Sequence, residues 1–207
     1  MSTNLNRRNF LKAAGTTAGF MIAAGYSPFS YAQNEKVRVG CIGTGGQGTF
    51  HIRDGLTGAD QIVITAVCDV FFPHQSMAVK YAQLSNAGIT LTEGQKLSDE
   101  EKQRASQAVK PNAYYDYHEM LAKEELDAVV IATPLNTHFP IAMDCLAAGK
   151  YVFCEKTLTR TLEDGRALIE KCHELNRWVQ VGHQRRYNPK YNMAMGLVFD
   201  EGRLGRI

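Results

Sequence analysis

The sequence carries no strong charge of either sign: 23 lysines and arginines face 21 acids, for a net charge of +2. Even that small excess is local. Arg7, Arg8 and Lys12 fall in residues 1–32, which hold no acid, so the remainder is net −1. So balanced a chain offers no broad basic face, which argues against nucleic acid or an anionic membrane surface as a partner. Disulfide and metal chemistry is equally thin. The five cysteines (Cys41, Cys68, Cys145, Cys154 and Cys172) are odd in number and include no C-x-x-C pair and no zinc-like Cys/His spacing. Each sits in an apolar strand or helix pattern, which predicts buried core thiols and no metal site. Internal repeats and low-complexity linkers are missing too. No apolar run reaches spanning length, so no stable membrane span is expected. What is present is an ordinary globular composition, 44% hydrophobic and 21% charged, in 207 residues. That length supports one full core and the start of a second domain.

The first 32 residues read as an address rather than as fold. Asn6-Arg7-Arg8-Asn9-Phe10-Leu11-Lys12 precedes a mildly apolar stretch, Ala13 to Tyr26, and Ser30-Tyr31-Ala32 then gives a small-x-small cleavage pattern. This order looks like a twin-arginine (Tat) signal, with an apolar region too short for a transmembrane helix. The expected partner of the segment is the Tat export machinery. The expected location of the mature chain, from about Gln33, is periplasmic or otherwise exported. That route carries folded proteins, which suits a protein that loads its cofactor before export.

From Glu35 onward, short β-rich runs alternate with helical stretches. Strands are predicted at Val37–Ile42, Ile62–Cys68, Ala128–Ala132, Tyr151–Cys154 and Trp178–Val181, with a weaker one near Ala113–Tyr115. They are continuous apolar runs, as expected for strands buried on both faces of a parallel sheet. A helix over Thr137–Ala148 has Pro140 in its first turn and Gly149 as its stop. Another over Thr161–Asn176 opens on Thr161-x-x-Asp164 and places Leu168, Ile169, Cys172 and Leu175 on one face. Residues 85–112 exceed a minimal unit and read as a surface insertion, with a charged helix over Ser98–Val109. The alternation specifies an α/β class: a Rossmann-type doubly wound parallel sheet, followed by only the start of a second α/β domain. Residues 190–201 look helical, and the chain then ends at Ile207 on what resembles a turn into a strand, so a fragment is expected.

The chemistry gathers at strand ends. Val37–Ile42 is followed by Gly43-Thr44-Gly45-Gly46-Gln47-Gly48, a G-x-G-x-x-G turn leading into a helix. Gly43 permits the tight turn, Gly45 lets the backbone approach a pyrophosphate, and Gly48 lets the helix pack closely. Asp69 lies 21 residues beyond Gly48, at the end of the second strand, where an acid accepts ribose hydroxyls and repels a 2′-phosphate. The following Val70-Phe71-Phe72 brings no Arg or Lys to hold such a phosphate, so NAD is favoured over NADP. After the fourth strand come Thr133, Pro134, Asn136 and His138, in the loop where ligands of open parallel sheets lie. His138 reads equally as a surface histidine at a helix start and as a group facing the crevice. The fifth strand ends in Glu155-Lys156, an acid and a base side by side.

Together these segments (Val39–Gly48, Ala66–Asp69, Ala128–Pro134, Ala148–Lys156 and Val181–Tyr187) resemble the glucose–fructose oxidoreductase/inositol dehydrogenase (Gfo/Idh/MocA) family over about residues 36–207. The resemblance implies an NAD(P)-binding Rossmann domain over residues 33–185. Residues 186–207 would open a truncated carboxyl-terminal substrate domain, whose large sheet often makes family members homo-oligomers. It implies hydride transfer between a nicotinamide and a sugar, polyol or sugar derivative. Lys156 matches the lysine of the family's Glu-Lys-Pro signature and would shuttle or stabilise the hydroxyl proton. Glu155 would serve as a cofactor or positioning contact. Gln184, Arg186 and Tyr187 would edge the cleft near the nicotinamide ribose or substrate, although Arg185 and Arg186 read equally as solvated charges. Thr157 stands where the family has proline, which removes the ring's hold on the lysine segment. Two other readings stay open. In one, NAD is retained through a net epimerisation, elimination or hydrolysis; in the other, this fragment binds a dinucleotide without catalysis.

Overall fold

Continuous apolar runs cannot face water on either side, and helices cover both faces of the sheet they build. A computed structural model describes residues 36–91, 94–203 and 205, so the expected export segment, 1–32, lies outside the described residues. Strands β1 (Val37–Ile42), β2 (Ile62–Cys68), β3 (Asn112–Tyr114), β4 (Ala128–Ile131), β5 (Tyr151–Glu155) and β6 (Val179–Gly182) form one sheet in the order β3-β2-β1-β4-β5-β6. Every pairing is parallel. The helices of this unit are α1 (Gly46–Phe50), continued by a π-helical turn over His51–Gly55, then α2 (Phe72–Asn86), α3 (Asp99–Gln107), α4 (Tyr117–Lys123), α5 (His138–Ala147) and α6 (Leu162–Leu175). This is the doubly wound Rossmann arrangement, and its strand order reverses between β1 and β4.

The core follows the apolar runs. All four residues of β4 are buried, and Ile42, Ala66, Met120, Val129, Ile131, Cys145, Leu146, Val152 and Cys154 belong to one buried cluster. Cys41, Cys68, Cys145 and Cys154 are buried free thiols, each pushed up to about 12 by desolvation, while Cys172 is half-buried. Some polar groups at the sheet find partners, while the Thr65 and Tyr151 hydroxyls are buried without a hydrogen bond among the described residues. In β1, Arg38 bonds Asp127 through its backbone N–H at 2.8 Å and through its guanidinium, which also meets Glu125 at 2.6 Å. Upstream of the short β3, the Asn86 side chain accepts from Ile64 N–H and donates to Ile64 C=O, both at 2.8 Å, as a substitute strand would.

Among the differences from expectation, three have a local reason. Glu155 lies inside β5, because Gly182 at the end of β6 pairs with it. The predicted helix after β4 is preceded by a 3₁₀ turn, Leu135–Thr137, and begins at His138. In α6, Leu168 is buried and Cys172 and Leu175 are half-buried, but Ile169 is 59% exposed. The 168/172/175 spacing defines one stripe, and the next residue is turned about 100° away from it. The charged helix in the 85–112 insertion is α3, capped reciprocally by Ser98 and Glu101, with no buried residue.

The sheet-bearing unit ends at Gly182, and residues from His183 belong to a second unit. Its described elements are α7 (Gln184–Tyr187), α8 (Pro189–Met195) and a π-helical turn, Gly196–Asp200. Asn188 caps α8 by accepting from Lys190 N–H at 2.9 Å. Leu204, Arg206 and Ile207, in the expected turn toward a strand, lie outside the described residues. No helix among the described residues is long and apolar enough to cross a membrane.

Candidate functional site

The β1/β4 reversal opens a crevice at the carboxyl ends of these strands, and the glycine turn sits in it. Gly43 has φ +80°, and a Cβ there would lie 2.7 Å from Thr133 Cγ2 and 2.8 Å from the Ala132 carbonyl. Only glycine fits both the dihedral and the approach of the β4 loop. Gly48 is tighter still, since a Cβ would stand 1.9 Å from the Gly43 oxygen. Gly45 and Gly46 are different. A Cβ on Gly45 would meet only the His74 ring, at 3.6 Å, and one on Gly46 would meet nothing within 4 Å. Two glycines therefore close the turn on itself, and two leave its outer backbone open to a ligand.

Asp69 backs this turn from the end of β2. Its Oδ2 accepts from Thr44 N–H at 2.7 Å and from the Thr44 hydroxyl at 3.1 Å, while Oδ1 accepts from Phe71 N–H at 2.9 Å. Thr44 is fully buried, so its side chain serves the carboxylate rather than the open face of the turn. Beyond Asp69, Val70, Phe71 and Phe72 are exposed by 86%, 53% and 61%, an apolar lip beside the crevice.

The β5 end is tied to the turn through a buried polar cluster. Glu155, 5% exposed, places Oε1 2.8 Å from His51 Nε2 and 3.1 Å from Gln47 Nε2. Its Oε2 accepts from Lys156 N–H at 3.2 Å. Burial alone would raise the Glu155 pKa, but the hydrogen bonds and charge of His51, with Lys156 N–H and Gln47, hold it below the ordinary carboxylate value. The imidazole of His51 also stands edge-on to Phe153, with centroids 5.1 Å apart. Lys156 itself is exposed, and its ammonium makes no ion pair or hydrogen bond among the described residues.

The sequence-predicted residues of the β4 loop divide in two. Pro134 and Asn136 are exposed on it, and Thr133 Oγ1 accepts from the Thr137 hydroxyl at 2.8 Å. His138 is 1% exposed, and its ring spans two carbonyls: Nδ1 is 2.9 Å from Thr157 O and Nε2 is 2.8 Å from Thr133 O. It thus joins the β4 and β5 loops from within. Gln184, Arg186 and Tyr187 belong to α7 of the second unit, where Gln184 and Arg186 are exposed.

A G-x-G-x-x-G turn between a parallel strand and a helix, an acid ending the next strand and a lysine ending the fifth can be compared with known proteins. The pattern of the oxidoreductase family with an NAD-binding Rossmann fold, Gfo/Idh/MocA, matches residues 37–183. The chain belongs to this family. Among curated Gfo/Idh/MocA-like relatives, inositol 2-dehydrogenase of Salmonella typhimurium is 27% identical over 172 residues, covering 82% of this chain and 43% of the relative. A "glycosyl hydrolase family 109 protein" of Shewanella baltica is 23% identical over 214 residues, covering 94% of this chain and again 43% of the relative. The chain thus spans under half the length of these relatives. Solved structures share the fold: scyllo-inositol dehydrogenase of Lactobacillus casei with NAD(H) and scyllo-inositol superposes with a TM-score of 0.63 at 22% identity, covering 84% of this chain and 43% of that one.

Within the Gfo/Idh/MocA domain, the departure at Thr157 has a local counterpart. The Lys156–Thr157 peptide is cis although no proline follows, and the Thr157 carbonyl is held by His138. Two residues near the site escaped sequence reasoning. His51 stands four residues after Gln47, a spacing that puts both on one helix face and was the available signal. His74 follows Pro73, which marks the first turn of α2 and so returns the imidazole toward the end of β2.

Proposed function

We propose that this chain is the cofactor-binding part of an exported oxidoreductase that moves a hydride between NAD and a sugar, polyol or sugar derivative. One observation carries the reading: an open glycine turn, a carboxylate at the end of β2 and an exposed lysine at the end of β5 converge on one crevice. The inositol dehydrogenase relatives support a polyol or sugar-like substrate. The residues present fit a dinucleotide. No side chain fills the space over Gly46, and Asp69 stands where an adenosine ribose is held while its charge disfavours a 2′-phosphate. NAD supplies the hydride acceptor when bound. Gly45 and Gly46 leave backbone open to its diphosphate, and Asp69 accepts a ribose hydroxyl. Lys156 holds or takes up the proton of the substrate hydroxyl, and the Glu155–His51–Gln47 cluster fixes the backbone from which it projects.

The test is kinetic and binding together, in a form of the protein long enough to turn over a polyol or sugar. Lys156→Ala should lower turnover roughly 10²–10⁴-fold, the usual contribution of a positioned acid–base group, with NAD binding retained. Undiminished turnover would remove Lys156 from the chemistry. A second reading is favoured by the glycosyl hydrolase relative: NAD stays bound while the net reaction is hydrolysis or a related non-redox step. Stoichiometric NADH release, followed by absorbance, supports the dehydrogenase; turnover without it supports the retained cofactor. Dinucleotide binding with neither would leave a binding module.

Export through the Tat machinery to the periplasm or beyond is part of the same proposal. It rests on Arg7-Arg8 and the apolar and small-x-small segments that follow.

A further inference from the structure

The carboxylate of Asp69 is largely engaged inside the protein. An ionised carboxylate offers about four lone-pair sites. Oδ2 takes both the N–H and the hydroxyl of Thr44, at 2.7 and 3.1 Å, and Oδ1 takes Phe71 N–H at 2.9 Å. One site is left, on Oδ1. A ribose presents two neighbouring hydroxyls, so one of them must find another partner or break the bonds that hold the glycine turn. His74 is the side chain placed to receive it. Its Nδ1 lies 3.9 Å from Asp69 Oδ2, too far for a hydrogen bond between them. Phe71 braces the ring edge-on, with centroids 4.9 Å apart at 85°. The imidazole also borders Gly45, where a Cβ would lie 3.6 Å from Nδ1 and Cε1, and the side chain remains 46% exposed. A neutral imidazole can both donate and accept, which matches a hydroxyl that does the same.

We propose that His74 is the second polar contact of the adenosine ribose, binding the 2′-hydroxyl beside the one site that Asp69 has left, and that the pair sets the preference between NAD and NADP. The inference rests on the dinucleotide reading of this crevice and adds to it a specificity-determining residue. Asp69 repels a 2′-phosphate, and His74 recognises the hydroxyl in its place. A guanidinium at position 74 would instead offer a phosphate a forked donor beside the turn.

Binding of NAD, NADP and 2′-deoxy-NAD to the chain, measured by titration calorimetry, tests this without reference to turnover. His74→Phe keeps an aromatic ring against Phe71 and removes the polar contact. It should weaken NAD binding roughly five- to tenfold, the worth of one hydrogen bond, with an unchanged thermal melt. The unaltered chain should lose a similar factor on passing from NAD to 2′-deoxy-NAD, and His74→Phe should lose nothing further. That coupling separates a direct contact from a structural effect. His74→Gln should recover part of the affinity, and His74→Arg should shift the NADP/NAD ratio toward NADP. Equal sensitivity of the unaltered chain and His74→Phe to the missing 2′-hydroxyl, or NAD binding within twofold in His74→Phe, would overturn the proposal. Failure of the unaltered chain to bind any of the three would overturn the dinucleotide reading itself, a different result.

Discussion

Gly48 and Gly46 lie two residues apart in the same turn and answer to different constraints. A methyl at Gly48 would collide with a backbone oxygen at 1.9 Å, which cannot move without opening the turn. Gly48→Ala should therefore abolish NAD binding and lower the melting temperature. Gly46 has empty space around it and opens a helical segment, so Gly46→Ala should stabilise the fold by about 0.5–1 kcal/mol through the unfolded chain. Urea titration distinguishes the two. Equal effects would mean that the turn is not packed as described. Glu155 makes a pH-dependent contribution of definite sign. Its folded pKa lies below the ordinary carboxylate value, so the stability it confers is present above that value and is lost as pH falls through it toward the folded one. Glu155→Gln should cost about 1.5–3 kcal/mol near pH 7, the range for hydrogen bonds to a charged group, and progressively less on acidification. A gap that widens at low pH would contradict the pairing with His51. At this scale the sequence showed which residue types mattered more clearly than what they touch. Gly43, Gly48, Asp69 and Lys156 were legible because a turn, a strand end or a signature demands them. The inward bonds of Thr44, Gln47 and His138 were not.

The elements were legible where burial is two-sided and blurred where it is one-sided. Continuous apolar runs placed β1, β2, β4 and β5, since nothing else in a chain of this composition needs such runs. The three-residue β3 was harder to see, and the structure lengthens the edge beside it with the Asn86 amide, a device with no periodic signal. Ile169 on α6 shows the reverse error, an apolar residue assigned to a face it does not share. The insertion helix α3 depends on its own ends, since none of its residues is buried. The Ser98 side chain accepts from Glu101 N–H at 3.2 Å, and Glu101 returns a bond to Ser98 N–H at 2.8 Å. Ser98→Ala should cost that helix about 1 kcal/mol. The loss should appear as faster amide exchange across 99–107, with protection in β4 unchanged. Equal loss in both would mean that α3 unfolds only with the core.

For the molecule as a whole, the address and the fold are separate questions. The export reading depends on Arg7 and Arg8, and replacing both with lysine should leave the protein in the cytoplasm with its NAD-binding domain folded, as cell fractionation would show. Continued export of the double variant would reject the assignment. Family membership rests on residues 37–183, whose motifs recur in order along the chain. The sequence by itself determined the parallel sheet, the order of its elements and the glycine turn, because these follow from local backbone demands and from runs of apolar residues. Only the tertiary structure decided what the polar side chains do. The His51–Glu155 contact joins residues 104 apart, a separation at which spacing carries no signal, and the spacing that marked Asp69 said nothing of its inward bonds to Thr44, 25 residues away. Such partners meet because strand ends converge where the sheet order reverses. Packing of the whole sheet, rather than any stretch of the chain, turns the Glu155-Lys156 pair into a buried acid that holds the backbone beside it and an exposed lysine.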